Sequence, residues 1–407
     1  MEKANKTIDL LTAILIMVIL CVPLLFFHRG GGTISKVDNR NTELRPVLAD
    51  YTGFFDSEFP KDWDAYISDN MGCREPAILA NIAFRYEIFG DFSVANYVQG
   101  KDGHLFYLTE DILHSYQGLD TPSQDSVAEI CAKAINFQDQ VLESGSQLIF
   151  MPIPNKEKIY SEFMPNNIHK TSGSSMTGSV IAELNQQAAI PMVNTEKALA
   201  DFKRGLGEED LLYYRNYDVT HWNQLGAFVG YQALMEKIAD LDSSFHYLGR
   251  DDIFLEKDVY NGPVKDLAFS PLMSRVFKSC SDIKYTIEPK NGWNGISDNC
   301  VPDNFSLAGD CEDKYYHYYN PTQKDGKTLL IYGDSYIRNF LLPIISENFK
   351  DVYFLSYAST RSELAELLQY VDPDFVVFEA VDRMLTEGNL KIYLDNGGDS
   401  FSCTAAK

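Results

Sequence analysis

Three residues in this chain have the types and settings that serine-based acyl chemistry requires. The stretch "LLIYGDSYIRNFLLPII", residues 329–345, is an apolar run that ends in Gly-Asp-Ser and passes directly into an amphipathic segment. Ser335 is thereby expected at a strand-to-helix turn, where the N–H groups and dipole of the helix start favour a developing oxyanion. Gly333 lets the chain turn sharply without a Cβ clash. A serine hydroxyl is nearly inert at neutral pH, so it needs a base, and the base needs an orienting carboxylate. Of the seven histidines, His28 adjoins an apolar N-terminal segment, His114, His169 and His246 sit in polar surroundings, and His317 lies in an aromatic stretch. The other two stand out by their neighbours, His104 in "GKDGHLFY" and His221 in "YYRNYDVTHWNQLGAF". In the second, "LLYY" reads as a strand end, and Asp218 and His221 fall in the turn that opens a long helix. An Asp-x-x-His spacing across such a turn can bring the carboxylate to Nδ1 and leave Nε2 facing a cleft. Each piece has a plainer reading, with Ser335 as a helix cap, and with Asp218 or Thr220 capping the long helix beside a surface His221. Together they supply all three roles of a serine triad.

The elements that must position these residues alternate along the chain. Strand candidates are "QLIFMPIP", "IPMVN", "KTLLIYG", "DVYFLSY" and "DFVVFEAV"; between them lie helical patterns such as "SQDSVAEICAKAINFQDQVLES", "SVIAELNQQAA", "SYIRNFLLPIISENF" and "RSELAELLQYV". Strands joined through helices pair in parallel, with helices on both faces. Their continuous apolar runs suit strands buried on both sides. The fold class is therefore α/β, a three-layer α/β/α sandwich with a parallel sheet over residues 125–390. In such a sheet reactive groups gather beyond the carboxyl ends of the strands. "YVQGKDGHLFYL" reads as two extended pieces around a Lys-Asp-Gly turn. Residues 247–326, rich in Gly, Asn, Asp and Pro and holding "NGWNG" and "YYHYYNP", read as an irregular excursion that carries small structure of its own.

Composition bounds the partners. A formal net charge of -23 argues against a nucleic-acid partner, since phosphate binding needs a basic face. Residues 10–27, "LLTAILIMVILCVPLLFF", carry no charge and at 1.5 Å per residue span roughly 27 Å, close to the hydrocarbon thickness of a bilayer. This length favours an uncleaved transmembrane anchor; a signal cut near the glycines of "HRGGGT" is the alternative. The expected organisation is a cytoplasmic tip and anchor at 1–27, a stem at 28–50, a helical and extended segment at 51–120, and the α/β domain at 121–407 with its excursion at 247–326. Six cysteines lie outside the anchor, and none has zinc-site spacing. Cys280, Cys300 and Cys311 are close enough in sequence for disulfides, with buried free thiols the alternative. No metal or nucleotide cofactor is indicated, since there is neither a ligand cluster nor a phosphate-binding Gly loop.

At the Gly-Asp-Ser and Asp-x-x-His residues the chain resembles the SGNH/GDSL superfamily. With Asp218 and His221 ahead of Ser335 it resembles the permuted members, the DHHW family and the related alginate O-acetyltransferases. "FPKDWDAYISDNMGCREPAIL" is similar to their entry segment, "GKDGHLFYL" to their Gly-Lys-Asp-Gly-Trp-Leu-Phe segment, "MPIPNKEKIYSEFMP" to their Pro-x-Lys segment, and "DFVVFEAVDRML" to their closing strand. The resemblance runs from about residue 40 to 390, and the order of these short motifs makes it specific. The sequence departs from the family in having Val219 and Thr220, two residues rather than one, between Asp and His. It also carries His104 where Trp is usual, which suggests a different ligand surface.

The resemblance implies that His221 takes the proton of Ser335, that Ser335 attacks an acyl ester or thioester, and that Asp218 stabilises the imidazolium. The acyl group then passes to a sugar hydroxyl. Oxyanion or substrate contacts fall to the backbone at Gly333–Ser335, the Asn155 amide, Lys156 and Arg338, with Trp222 and Trp293 able to stack on a sugar. For Asn155 a loop or helix-cap role, and for Trp222 core packing, are the competing uses. The implied activity is a membrane-anchored, extracytoplasmic O-acyltransferase, with a polysaccharide acceptor and a multi-spanning membrane O-acyltransferase as acyl donor. A carbohydrate esterase or a non-catalytic polysaccharide-binding component are the other readings.

Overall fold

The computed structural model describes residues 2–30, 32–35, 40–48, 56–89, 96–187, 190–207, 209–265, 280–298, 305, 314–356, 359 and 361–394. Two compact units result: Met1–Ala95 with Gly262–Ser279 and Thr404–Lys407, and Asn96–Asn261 with Cys280–Cys403. Cys300, Cys311 and Cys403 lie outside the described residues, while Cys73, Cys131 and Cys280 are in no disulfide.

In the first unit helix α1 (Glu2–Leu25) contains one stretch, Ile8–Leu25, long and apolar enough to cross a membrane, and none of it is buried. Strands β1 (Ile34–Ser35) and β2 (Arg40–Asn41) pair antiparallel, and α2 (Phe59–Asn70) and α3 (Arg74–Phe89) follow. The end of α1 is held against the end of α2, where His28 N–H donates to Asn70 C=O at 2.9 Å and Gly72 N–H to Pro23 C=O at 3.1 Å.

The second unit opens with β3 (Tyr97–Gln99) and β4 (Leu105–Tyr107), antiparallel around the expected Lys-Asp-Gly turn. Helix α4 (Glu110–Gln117) and then α5 (Gln124–Glu143) follow, the latter capped by the Ser123 hydroxyl. The main sheet starts with β5 (Gln147–Ile153), and the chain returns through α6 (Lys156–Ile159), α7 (Met176–Gln187), α8 (Thr195–Lys203) and α9 (Gln224–Leu241). A pair of ten-residue strands, β6 (Ile253–Gly262) and β7 (Cys280–Pro289), comes next, then β8 (Ile296–Ser297) and β9 (Tyr315–Tyr319). The chain closes with β10 (Thr328–Gly333), α10 (Ser335–Phe340), α11 (Leu342–Ser346), β11 (Asp351–Ser356), α12 (Arg361–Val371), β12 (Phe375–Val381) and α13 (Glu387–Leu394).

The six-stranded sheet has the order β5-β12-β10-β11-β9-β8. Its first four strands are parallel, as the sequence implies, but β9 and β8 add to the edge antiparallel, so the sheet is mixed. The excursion therefore supplies two strands to the main sheet, besides the separate β6–β7 pair. "IPMVN" contributes only a bridge from Met192 to Phe150, and "LLYY" only a bridge from Tyr213 to Trp222. Side chains alternate across the parallel strands. Ile149, Met151, Leu329, Ile331 and Val377 face a core built with α9, α10 and α11, while Leu148, Phe150, Leu330, Tyr332, Val376 and Phe378 face α5, α7, α12 and α13. Both faces are covered, which is why these strands read as unbroken apolar runs.

Candidate active site

All four parallel strands end at the same edge, so the residues after Ile153, Gly333 and Val381 are brought together there. Asp334 is the N-cap of α10: its Oδ1 accepts the Tyr336 N–H at 2.7 Å. Because Asp334 caps the helix, Ser335 is free of that duty, and its Oγ lies 2.8 Å from His221 Nε2. The imidazole Nδ1 lies 2.9 Å from Asp218 Oδ1. Asp218 is fully buried, a costly place for a carboxylate unless donors surround it. Thr220 supplies two, its N–H and its hydroxyl, each 3.3 Å from the same oxygen.

The segment bearing Asp218 and His221 is a clamped loop and not the end of a sheet strand. The Tyr213–Trp222 bridge closes its neck, and Asn223 N–H donates to Leu212 C=O at 3.0 Å. Asn223, and neither Asp218 nor Thr220, caps α9, through the Gly226 N–H at 3.0 Å. At the other side of the loop Asp282 Oδ2 accepts the N–H groups of Asn216 and Tyr217 at 2.8 and 2.9 Å. Lys156, fully enclosed, donates to the carbonyls of Leu105 and Arg215 at 2.6 and 2.8 Å, tying the loop to β4. Burial lowers the Lys156 pKa to about 7. Its ammonium is enclosed by these partners, so it serves as a tether and not as a substrate contact.

The remaining sequence candidates separate. Trp222 is fully buried, its Nε1–H donating to Tyr336 C=O at 3.3 Å, so it packs in the core and presents no face to a sugar. Asn155 stands at the N-cap of α6, but its side chain makes no capping bond; its Oδ1 accepts from Arg383 at 3.4 Å. Arg338 bonds its neighbour Asn339 at 3.2 Å. Gly333 has a different reason from the one read in the sequence. Its φ is not positive, but a Cβ there would lie 2.5 Å from Glu379 Oε2. His104 is buried and stacked on Phe163, ring centroids 4.0 Å apart, and so offers no ligand surface.

Three residues that the sequence reading passed over complete the site. Glu379 is fully buried, accepts the Asp334 N–H at 2.8 Å and hydrogen-bonds its side chain. Burial and the neighbouring Asp334 charge hold its carboxyl well above the usual range, beneath the turn that carries Ser335. Tyr336 OH donates to Thr220 C=O at 2.5 Å, joining the serine helix to the histidine loop. Arg383 reaches Thr220 C=O at 3.2 Å and the Tyr336 hydroxyl at 3.4 Å, besides Asn155. A charged residue within the apolar run "DFVVFEAV" was the available signal for Glu379.

A family model described as the SGNH hydrolase-like domain of the acetyltransferase AlgX matches residues 97–268. Curated protein sequences give no match. Among solved structures, PatB1 of Bacillus cereus with a sulfonyl adduct superposes with a TM-score of 0.53 at 16% identity, over 74% of this chain and 99% of that one. A DHHW family protein from Eubacterium siraeum gives 0.52 at 16% identity, over 74% and 95%. The O-acetyltransferase domain of AlgJ from Pseudomonas putida gives 0.47 at 17% identity, over 77% and 98%. The chain thus has the SGNH hydrolase-like fold, and its resemblance to the DHHW family and the permuted SGNH-like proteins around the alginate O-acetyltransferases holds.

Proposed function

We propose that this chain is a membrane-anchored O-acyltransferase, working outside the cytoplasm on a cell-envelope or secreted polysaccharide through an acyl-serine intermediate. The observation that carries the reading is the unbroken line Asp218–His221–Ser335, with contacts of 2.9 and 2.8 Å. In the first half-reaction Ser335 Oγ attacks the acyl carbonyl carbon while its proton moves to His221 Nε2. Collapse of the tetrahedral intermediate breaks the bond to the leaving group, which takes that proton. In the second, a sugar hydroxyl gives its proton to His221 Nε2 and attacks the acyl-serine; Ser335 Oγ leaves and is reprotonated. Asp218 holds the imidazole in the tautomer with a proton on Nδ1 and stabilises the imidazolium.

The Tyr336 N–H is bound to Asp334, which leaves the Ser335 N–H as the backbone donor to the oxyanion. Asn155 is the side-chain candidate: with Oδ1 turned to Arg383, its amide nitrogen points away from the guanidinium. The apolar span Ile8–Leu25 supports the anchor, and a multi-spanning membrane O-acyltransferase fits as the source of the acyl group. The chemistry as written needs no metal or cofactor. With water in place of the sugar the same groups make an esterase, so the two readings differ in how well the acyl-enzyme excludes water. Incubation with p-nitrophenyl acetate and a set of glycan acceptors separates them. Acceptor-dependent acceleration with acetylated sugar as product supports transfer. Free acetate alone supports the esterase, and identical behaviour of wild type and Ser335→Ala eliminates both.

A further inference from the structure

A second feature lies beside the triad, on the face of the helix that begins with Ser335. A cleft of about 210 Å³ is lined by Gln224, Tyr285, Thr286, Trp293, Asn339 and Phe340, together with further apolar side chains. That is many times the roughly 10–15 Å³ that a single water needs, and leaves room for a sugar ring. It adjoins the catalytic centre. The Phe340 ring lies 5.6 Å from the His221 imidazole, centroid to centroid, and Asn339 follows Ser335 by four residues, which sets both on one face of α10. Trp293 is 46% exposed although it is the largest apolar side chain available for burial.

The loop carrying Trp293 is built rather than slack. Glu347 accepts the N–H groups of Asn294 and Gly295, both at 2.8 Å, and the Asn294 amide at 3.0 Å. Gly295 packs so closely on α11 that a Cβ would meet Ser346 Oγ at 2.0 Å. The indole is therefore held out at the cleft by a fixed backbone. Arg338 bonds Asn339 Oδ1 at 3.2 Å, which orients the Asn339 amide with its nitrogen as the outward donor. Apolar faces beside a few amide and hydroxyl groups match the two faces of a sugar ring. Among the described residues no side chain lining the cleft is charged, and the chain's net charge is -23.

We propose that this cleft is the acceptor subsite, and that it takes an uncharged pyranose, a neutral hexose or N-acetylhexosamine unit, and not a uronate. The inference rests on the transferase reading and names the substrate class of that same site. Trp293 stacks on the ring; Asn339 and Gln224 hydrogen-bond its hydroxyls, so that the next hydroxyl reaches Ser335.

The test uses the full-length protein in a non-glycosidic detergent, with binding of cellohexaose, chitohexaose and hexagalacturonate followed by tryptophan fluorescence and by calorimetry. Of the three tryptophans Trp222 is fully buried and Trp63 is half-buried, so a sugar-dependent change in emission that persists in Trp63→Phe and is lost in Trp293→Phe reports on Trp293. At least one uncharged hexasaccharide is expected to bind, with hexagalacturonate weaker. Trp293→Ala and Asn339→Ala should each weaken binding about fivefold, and Trp293→Phe less than twofold. Absence of binding by both uncharged probes at millimolar concentration, unchanged affinity in Trp293→Ala, or tighter binding of hexagalacturonate would overturn the proposal. Failure of Ser335 to become acylated would remove the acyl-serine reading and leave these binding results standing; intact acylation with unaltered binding would remove the subsite alone.

Discussion

Replacing Gly333 with alanine probes the support beneath the proposed nucleophile, Ser335. Register pairs Tyr332 with Phe378, so the next step along both strands sets Gly333 beside Glu379. An added Cβ would stand 2.5 Å from Glu379 Oε2 and 3.3 Å from its Cβ. A carboxyl at the end of a flexible side chain could normally swing aside. This one is fully buried and accepts the Asp334 N–H at 2.8 Å, so moving it breaks that bond in the turn just before Ser335. Overpacking of this kind costs about 1–3 kcal/mol. For a unit of this size that lowers Tm by roughly 2–10 °C. The larger effect falls on chemistry, because displacing the Ser335 hydroxyl by ~1 Å costs about 100-fold in rate. Thermal melting and p-nitrophenyl acetate turnover read the two effects. Adding Glu379→Ala to Gly333→Ala removes the clashing atoms, so the pair should couple by at least about 1 kcal/mol in a double-mutant cycle. A Gly333→Ala protein with wild-type melting and rate, or a cycle without coupling, would refute the reasoning.

Other outcomes follow from the same geometry. Burial, aided by the nearby positive charge of Lys156, lowers the His104 pKa to about 2, so the folded chain binds fewer protons than the unfolded chain between that value and 6.5. Its contribution is complete above about pH 6.5 and is lost as pH falls; His104→Phe, which keeps the stack on Phe163, should flatten the acid limb of the stability curve, and parallel limbs by denaturant titration would contradict this. Arg383→Ala removes the donor shared by Thr220, Asn155 and Tyr336, so turnover should fall about 10–100-fold while the fold persists, measured by kcat and circular dichroism. Without residues 2–27 the chain should move from the membrane fraction to the soluble fraction; retention in membranes would place the attachment elsewhere.

The core strands were legible because each is buried on both faces and flanked by amphipathic helices, so period and length agree. β8 and β9 were not, since "YYHYY" has aromatic content without alternation and pairs only after a long excursion. The triad candidates were legible because Ser and His need neighbours of particular kinds, and those neighbours are close in sequence. Their supports were not: Glu379, Arg383 and Tyr336 act across separations of 45 to 228 residues, for which a single sequence has no local pattern. The break between α10 and α11 follows from Pro343, which suits the first turn of a new helix better than the interior of a long one.

The central claim is that the imidazole at position 221 activates the hydroxyl at position 335. Peptide mass spectrometry after brief exposure to a sulfonyl fluoride tests it without any assumption about donor or acceptor. The expected result is a single adduct on Ser335, forming at least ~100-fold more slowly in His221→Ala and not at all in Ser335→Ala. An adduct elsewhere, or one on Ser335 at the same rate with and without His221, would contradict it.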